Sequence, residues 1–139
     1  MAGFNKFNAF IESVFEKEHD FSSDVFKIML TNVAPVATNS LKGDLTEISS
    51  GNGYTSGGTP VSVASSSQLA GVYKATLSGD TVFTASGGNI ASFRYVVLYN
   101  DTSVGDALVG WWDYGSSISP SNGETFTART DGIDIITAS

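Results

Sequence analysis

The chain has no cysteine, which excludes a disulfide frame, a thiolate metal cage and a cysteine nucleophile, and leaves its redox compartment open. It has a single histidine, so a multi-histidine metal site is excluded too. Charge is scarce: Asp, Glu, Lys and Arg make up 15% of the residues, against about 25% in an average globular protein. Positive charge is the scarcer sign, with seven Lys and Arg against fourteen Asp and Glu, a net charge of -7 that repels phosphate. Nucleic acid is therefore not an expected partner. No run of about eighteen consecutive apolar residues occurs, and Lys6, Glu12, Glu16 and Glu18 interrupt the start, where a signal peptide needs an apolar stretch. Neither a membrane partner nor export is expected, and the chain is expected to be soluble.

What is present is enough for a core. With 139 residues, 41% of them hydrophobic and 12% aromatic, one compact domain can offset its conformational entropy by burial. Residues 3–18 place Phe4, Phe7, Ile11, Val14 and Glu18 at steps of three and four, with Phe10 and Phe15 widening the stripe. The spacing predicts an amphipathic helix. Four Phe within twelve residues is more than a helix covering a small sheet needs, so two readings stand side by side: a helix packed on its own sheet, or an arm that docks on another subunit. The organisation that follows is an N-terminal helical arm over 1–20 and a single β-rich domain over 21–139.

Beyond the arm, eight short apolar or alternating runs predict strands, at 25–30, 61–64, 72–77, 82–85, 93–99, 107–114, 125–129 and 133–137. Turn residues separate them, as in Ser78-Gly79-Asp80, Ser86-Gly87-Gly88-Asn89 and Ser121-Asn122-Gly123. The fold class is mainly β, an antiparallel β-sandwich or barrel of about seven to eight strands with an N-terminal amphipathic helix. The run 93–99 is the candidate central strand, while 125–127 and 133–135 alternate and should each have one wet and one buried face. Asn32 to Asn39, with Pro35, reads as a loop. Asp44 and Glu47 have the spacing of an N-cap and its N3 partner, which suggests one helical turn within 41–48. From Ile48 to Tyr73 there is no charged residue, and the glycines of 51–58 favour an ordered, extended loop.

No constellation of catalytic residues stands out, and no enzyme activity, cofactor or metal is expected. Asp80, Asp101, Asp106 and Asp131 read as turn formers that bond their own backbone; Asp101 with Asp106, or Asp131 with Asp134, offer oxygens for calcium but lack EF-hand spacing. His19, between Glu18 and Asp20, reads as a surface residue whose pKa the carboxylates raise. Asn100-Asp101-Thr102 matches a glycosylation sequon, a common chance pattern. The 51–58 loop lacks the Lys and Ser/Thr that follow a phosphate loop. Trp111 and Trp112 are adjacent strand residues facing opposite sides, so one should be buried; the other is free to fill a partner's pocket or, with Tyr99 and Tyr114, to stack on a sugar.

Several segments together resemble a family of small structural proteins from the head-gene regions of tailed bacteriophages. They are Phe4-Asn5-Lys6-Phe7-Asn8, the stretch from Leu30 to Asn39, the loop from Gly51 to Gly58, Phe93 to Asp101, and Gly110-Trp111-Trp112-Asp113-Tyr114-Gly115, which span nearly the whole chain. The resemblance implies a capsid decoration, or cement, protein, made in the host cytoplasm and carried on the capsid surface of the virion. It carries no catalytic residues with it. The implied partners are the major capsid protein and further copies of this chain, as a dimer or trimer. The expected contacts come from Phe4, Phe7, Phe10 and Ile11, from Asn52, Gly53, Tyr54 and Thr55, and from Trp111 and Trp112. A neck or tail component of the virion is the alternative within the same class, and a carbohydrate- or receptor-binding module is the alternative outside it.

Overall fold

The computed structural model describes residues 3–139 and is mainly β. All eight expected strands form: β2 (Phe26–Thr31), β3 (Thr59–Leu69), β4 (Val72–Ser78), β5 (Thr81–Thr84), β6 (Phe93–Asn100), β7 (Leu108–Ile118), β8 (Thr125–Ala128) and β9 (Asp134–Ala138). A further strand, β1 (Asn5–Lys6), and one helix, α1 (Asn8–Phe15), precede them. Seven strands make one antiparallel sheet in the order β1-β7-β6-β2-β3-β4-β9, and β5 pairs with β8 beside it.

β6 is interior, with β7 on one side and β2 on the other, although β2 holds the middle place. Both strands are nearly continuously apolar because both of their faces are covered. Phe26, Ile28, Leu30, Val96 and Leu98 enter a large core that also holds Phe83, Phe126 and Ala128 of the two-stranded sheet. Met29, Val97 and Tyr99 face the other way, into a smaller cluster with Phe7 and Leu108. The period-two alternation of a strand thus assigns neighbouring residues to two separate cores. In β9 the alternation breaks: a register shift against β4 between Ala75 and Thr76 buries Ile135 and Ile136 together.

The predicted helix over 3–18 is shorter than its periodicity suggests, and Met1 and Ala2 of the expected arm lie outside the described residues. Asn5 and Lys6 instead pair with Trp111 and Gly110 of β7, and Phe7 N–H extends the ladder to Val109 O at 3.2 Å. Gly110 makes this possible, because a Cβ there would run into the Phe4 ring and the Asn5 carbonyl. The helix closes after Phe15 through Lys17, whose φ of 69° is left-handed, with Glu18 N–H donating to Ser13 O at 2.9 Å. Phe7 and Phe10 are buried in this chain's own two cores, so the segment is built into the sheet and is not free of it.

The turn expected within 41–48 is a short 3-10 turn, Lys42–Asp44, with the cap assigned differently. Asp44 is the third residue of the turn and reaches back to accept from Leu41 N–H at 3.1 Å and Ser40 N–H at 3.0 Å, leaving Glu47 free for another role. Among the described residues no helix is long and apolar enough to cross a membrane.

Candidate functional site

The residues singled out from the sequence fall into two places. At the first, β1 and the start of α1 lie against β7, where Phe4 packs at a tilt on Trp112 with ring centroids 4.8 Å apart and Phe7 likewise on Trp111 at 4.6 Å. The strand alternation puts Trp112 in the large core and leaves Trp111 half-buried on the opposite face, as adjacent strand positions require. Tyr99 shares the face of Trp111 and is buried, whereas Tyr114 packs edge-on to Phe126 in the other core. The four aromatics considered as one stacking face for a sugar are therefore split across the sheet. Of the expected contact residues of the arm, Phe7 and Phe10 point inward, Phe4 is half-buried, and Ile11 is exposed. Phe15, absent from that set, is more exposed still at 77%.

At the second place, Asn52, Gly53, Tyr54 and Thr55 close the gap where β3 leaves β2. The two strands pair only from Phe26 to Ile28, so the outer side of β2 beyond Ile28 needs other partners. Leu30 N–H donates to the Tyr54 hydroxyl at 3.2 Å, and Leu30 O accepts from Ile48 N–H at 3.1 Å. The Tyr54 hydroxyl in turn donates to Glu47 Oε2 at 2.5 Å, which also accepts from Gly57 N–H at 2.6 Å, while Lys42 Nζ lies 3.3 Å from Glu47 Oε1. Burial first, and then the Glu47 carboxylate, push the Tyr54 hydroxyl far above its ordinary pKa, so it donates at every accessible pH. Asn52 Nδ2 donates to Asn89 O at 2.9 Å, and a Cβ on Gly53 would strike the Thr84 carbonyl. Asn52 and Thr55 are exposed, but Tyr54 is buried and serves the fold. The trace of Glu47 in the sequence was its place as the last charge before a long uncharged stretch.

His19 overturns its surface reading. It is 7% exposed, between Phe10, Phe21 and Phe26, with rings 5.3 to 6.1 Å away. Its Nδ1 accepts from Asn100 Nδ2 at 3.0 Å, and Nε2 is buried without a partner. Desolvation lowers its pKa from 6.5 to about 4, against the smaller opposing pull of Asp24. Asn100, the sequon residue, is fully buried: its Nδ2 also donates to Asp24 Oδ2 at 2.7 Å, and its Oδ1 accepts from Thr102 N–H at 2.9 Å. This is a clamp between the end of α1 and the loop after β6.

Three of the four aspartates read as local turn formers act over long range. Asp131 Oδ1 accepts from Gly79 N–H at 2.7 Å, Asp80 Oδ1 accepts from Asp131 N–H at 3.2 Å, and Asp101 pairs with Lys27 at 3.2 Å. No group of three or more His, Asp or Glu that could hold a metal ion occurs among the described residues. Searches of protein-family models, of curated proteins and of solved structures find no match to this chain.

Proposed function

We propose that this chain is a non-enzymatic structural protein of a tailed-bacteriophage virion, a decoration or cement protein on the outer capsid surface that ties neighbouring major capsid subunits together. The observation that supports it best is the apolar surface left bare on α1, where Phe15 and Ile11 face solvent. The loop joined to the start of α1 by Asn8 N–H on Ala37 O, at 2.8 Å, adds exposed Val33 and Val36. Each Å² of such surface buried on a neighbour is worth about 25 cal/mol, and even a modest contact accumulates when repeated around a shell.

The contact set of this proposal is Ile11, Phe15, Val33 and Val36, since Phe7, Phe10, Tyr54 and Trp112 are already used in the fold. We further take the pair β5–β8 as the second layer of a small β-sandwich, on the grounds that Phe83 and Phe126 share one core with Phe26 and Leu98. Cryo-electron microscopy of purified virions tests the location: many copies in icosahedral register are expected. Particles lacking the protein should release DNA at a lower temperature than complete ones. Its absence from particles, or equal thermal release with and without it, overturns the proposal; a few copies at the neck or along the tail would move it to the alternative virion role.

A further inference from the structure

We infer that two copies of this chain join edge to edge through β3, in an antiparallel pairing whose two-fold axis passes Ser67. This inference stands independently of the virion proposal. After Val61, β3 has β4 on one side and, among the described residues, no strand on the other, so a row of backbone donors and acceptors is open. Natural edges are usually blunted by charge, proline or a bulge. The only such device here is a register shift between Val63 and Ser65, and beyond it Ser65-Ser66-Ser67-Gln68-Leu69 runs in unbroken register with β4, without charge or proline.

Charge singles out this edge within the seven-stranded sheet. Each copy carries a net charge of -7, so two copies repel unless they meet where neither is charged. Among the open edges of the seven-stranded sheet, β9 carries exposed Asp134, β7 exposed Asp113 and β1 Lys6, whereas no residue from Ile48 to Tyr73 is charged; the uncharged edges of β5 and β8 are only four residues long. Shape agrees with charge. Ser65, Ser67, Leu69, Val72, Thr76 and Lys74, whose ammonium is paired with Asp134 at 3.3 Å and so adds no unpaired charge, line a furrow of about 310 Å³ on the outer face of the β3–β4 ribbon. Its floor is low because the serines are small, and at its end Leu69 is 82% exposed, a knob with nothing to fill.

A perpendicular two-fold at Ser67 sets Leu69 of each copy opposite Ser65 of the other, on the same face. Each leucine then lies over the low serine end of the other copy's furrow. The same five residues supply both knob and hole, which is the self-complementarity an isologous contact needs.

The test uses the full chain. Sedimentation at increasing concentration should show a species of twice 14.5 kDa. Because the chain has no cysteine, S67C introduces its only thiol, and mild oxidation should link two copies across the axis much faster than it links S121C, placed on a distant exposed turn. S67K, which sets two ammonium groups face to face, should be monomeric with an unchanged circular dichroism spectrum, and mixing it with S67E should restore the dimer. A wild type that stays monomeric, S67C that links no faster than S121C, or S67K that dimerises like the wild type overturns the inference. Open-ended assemblies would also overturn it, since they indicate β3 pairing head-to-tail with another edge.

Discussion

Lowering the pH from 7.5 to 5 should cost this fold about 2 kcal/mol through His19 alone. In the folded chain His19 stays neutral, its pKa lowered from 6.5 to about 4 by burial among Phe10, Phe21 and Phe26. The unfolded chain therefore takes up the proton first as pH falls, and stability is complete above about pH 6.5 and lost between there and pH 4. From these two values the loss comes to about 2 kcal/mol at pH 5 and about 3 kcal/mol by pH 4. Protonation also puts a second N–H on Nδ1, where Asn100 Nδ2 already donates, and Asn100 cannot turn over without giving up the bonds from Thr102 and Ser103 to its Oδ1. Of the charged groups around it, Lys17 and Asp20 line the same cavity, and only Asp24 opposes the downward shift appreciably.

The carboxylates titrate in a different window. Asp20, Asp44, Asp113 and Asp134 are held below their ordinary values by hydrogen bonds to their charged forms, so their contribution is present above about pH 4 and lost only below it. Urea unfolding at pH 7.5 and pH 5 on the wild type and on His19→Gln separates the two effects. The variant should be less stable at pH 7.5 but nearly flat between the two pH values. If the wild type is equally flat, or if the imidazole titrates near 6.5 by NMR, the assignment of a buried neutral histidine is wrong.

Tyr54→Phe should destabilise by roughly 1–3 kcal/mol in urea, because it strips a donor from Glu47 and an acceptor from Leu30 N–H while keeping the ring in place. Gly58→Ala should cost considerably more than Gly115→Ala in thermal unfolding: both glycines have positive φ, but only at Gly58 would a Cβ collide with the Ile28 carbonyl. Trp112→Ala should cost about 3–5 kcal/mol and Phe15→Ser almost nothing, since the first empties a core site and the second relieves an exposed apolar ring; equal losses in calorimetry would contradict the burial assigned to each. Deleting residues 1–15 should destabilise the whole domain, as it removes β1, Phe7 and Phe10, and a truncated chain that melts like the wild type would show the segment to be an independent arm.

Local chemistry in the sequence was enough for the eight main strands, the turns between them and the opposite facing of Trp111 and Trp112. These follow from period-two burial and from glycine and aspartate at turns, properties that act within a few residues. Tertiary structure decided the rest, wherever the deciding partner lay far along the chain. Phe4 to Phe7 carry helical spacing, yet a bare Gly110 more than a hundred residues later offers a strand edge and a ring-sized gap, and the segment extends to fill them. Glu47 has the look of a capping residue until β3 leaves β2 and Tyr54 must bridge the opening. His19 sits among carboxylates in the sequence, but folding places three phenylalanine rings around it, and desolvation outweighs the single remaining charge of Asp24. Sequence spacing fixes which way a side chain points on its own element; what it meets there depends on which distant element folds over it.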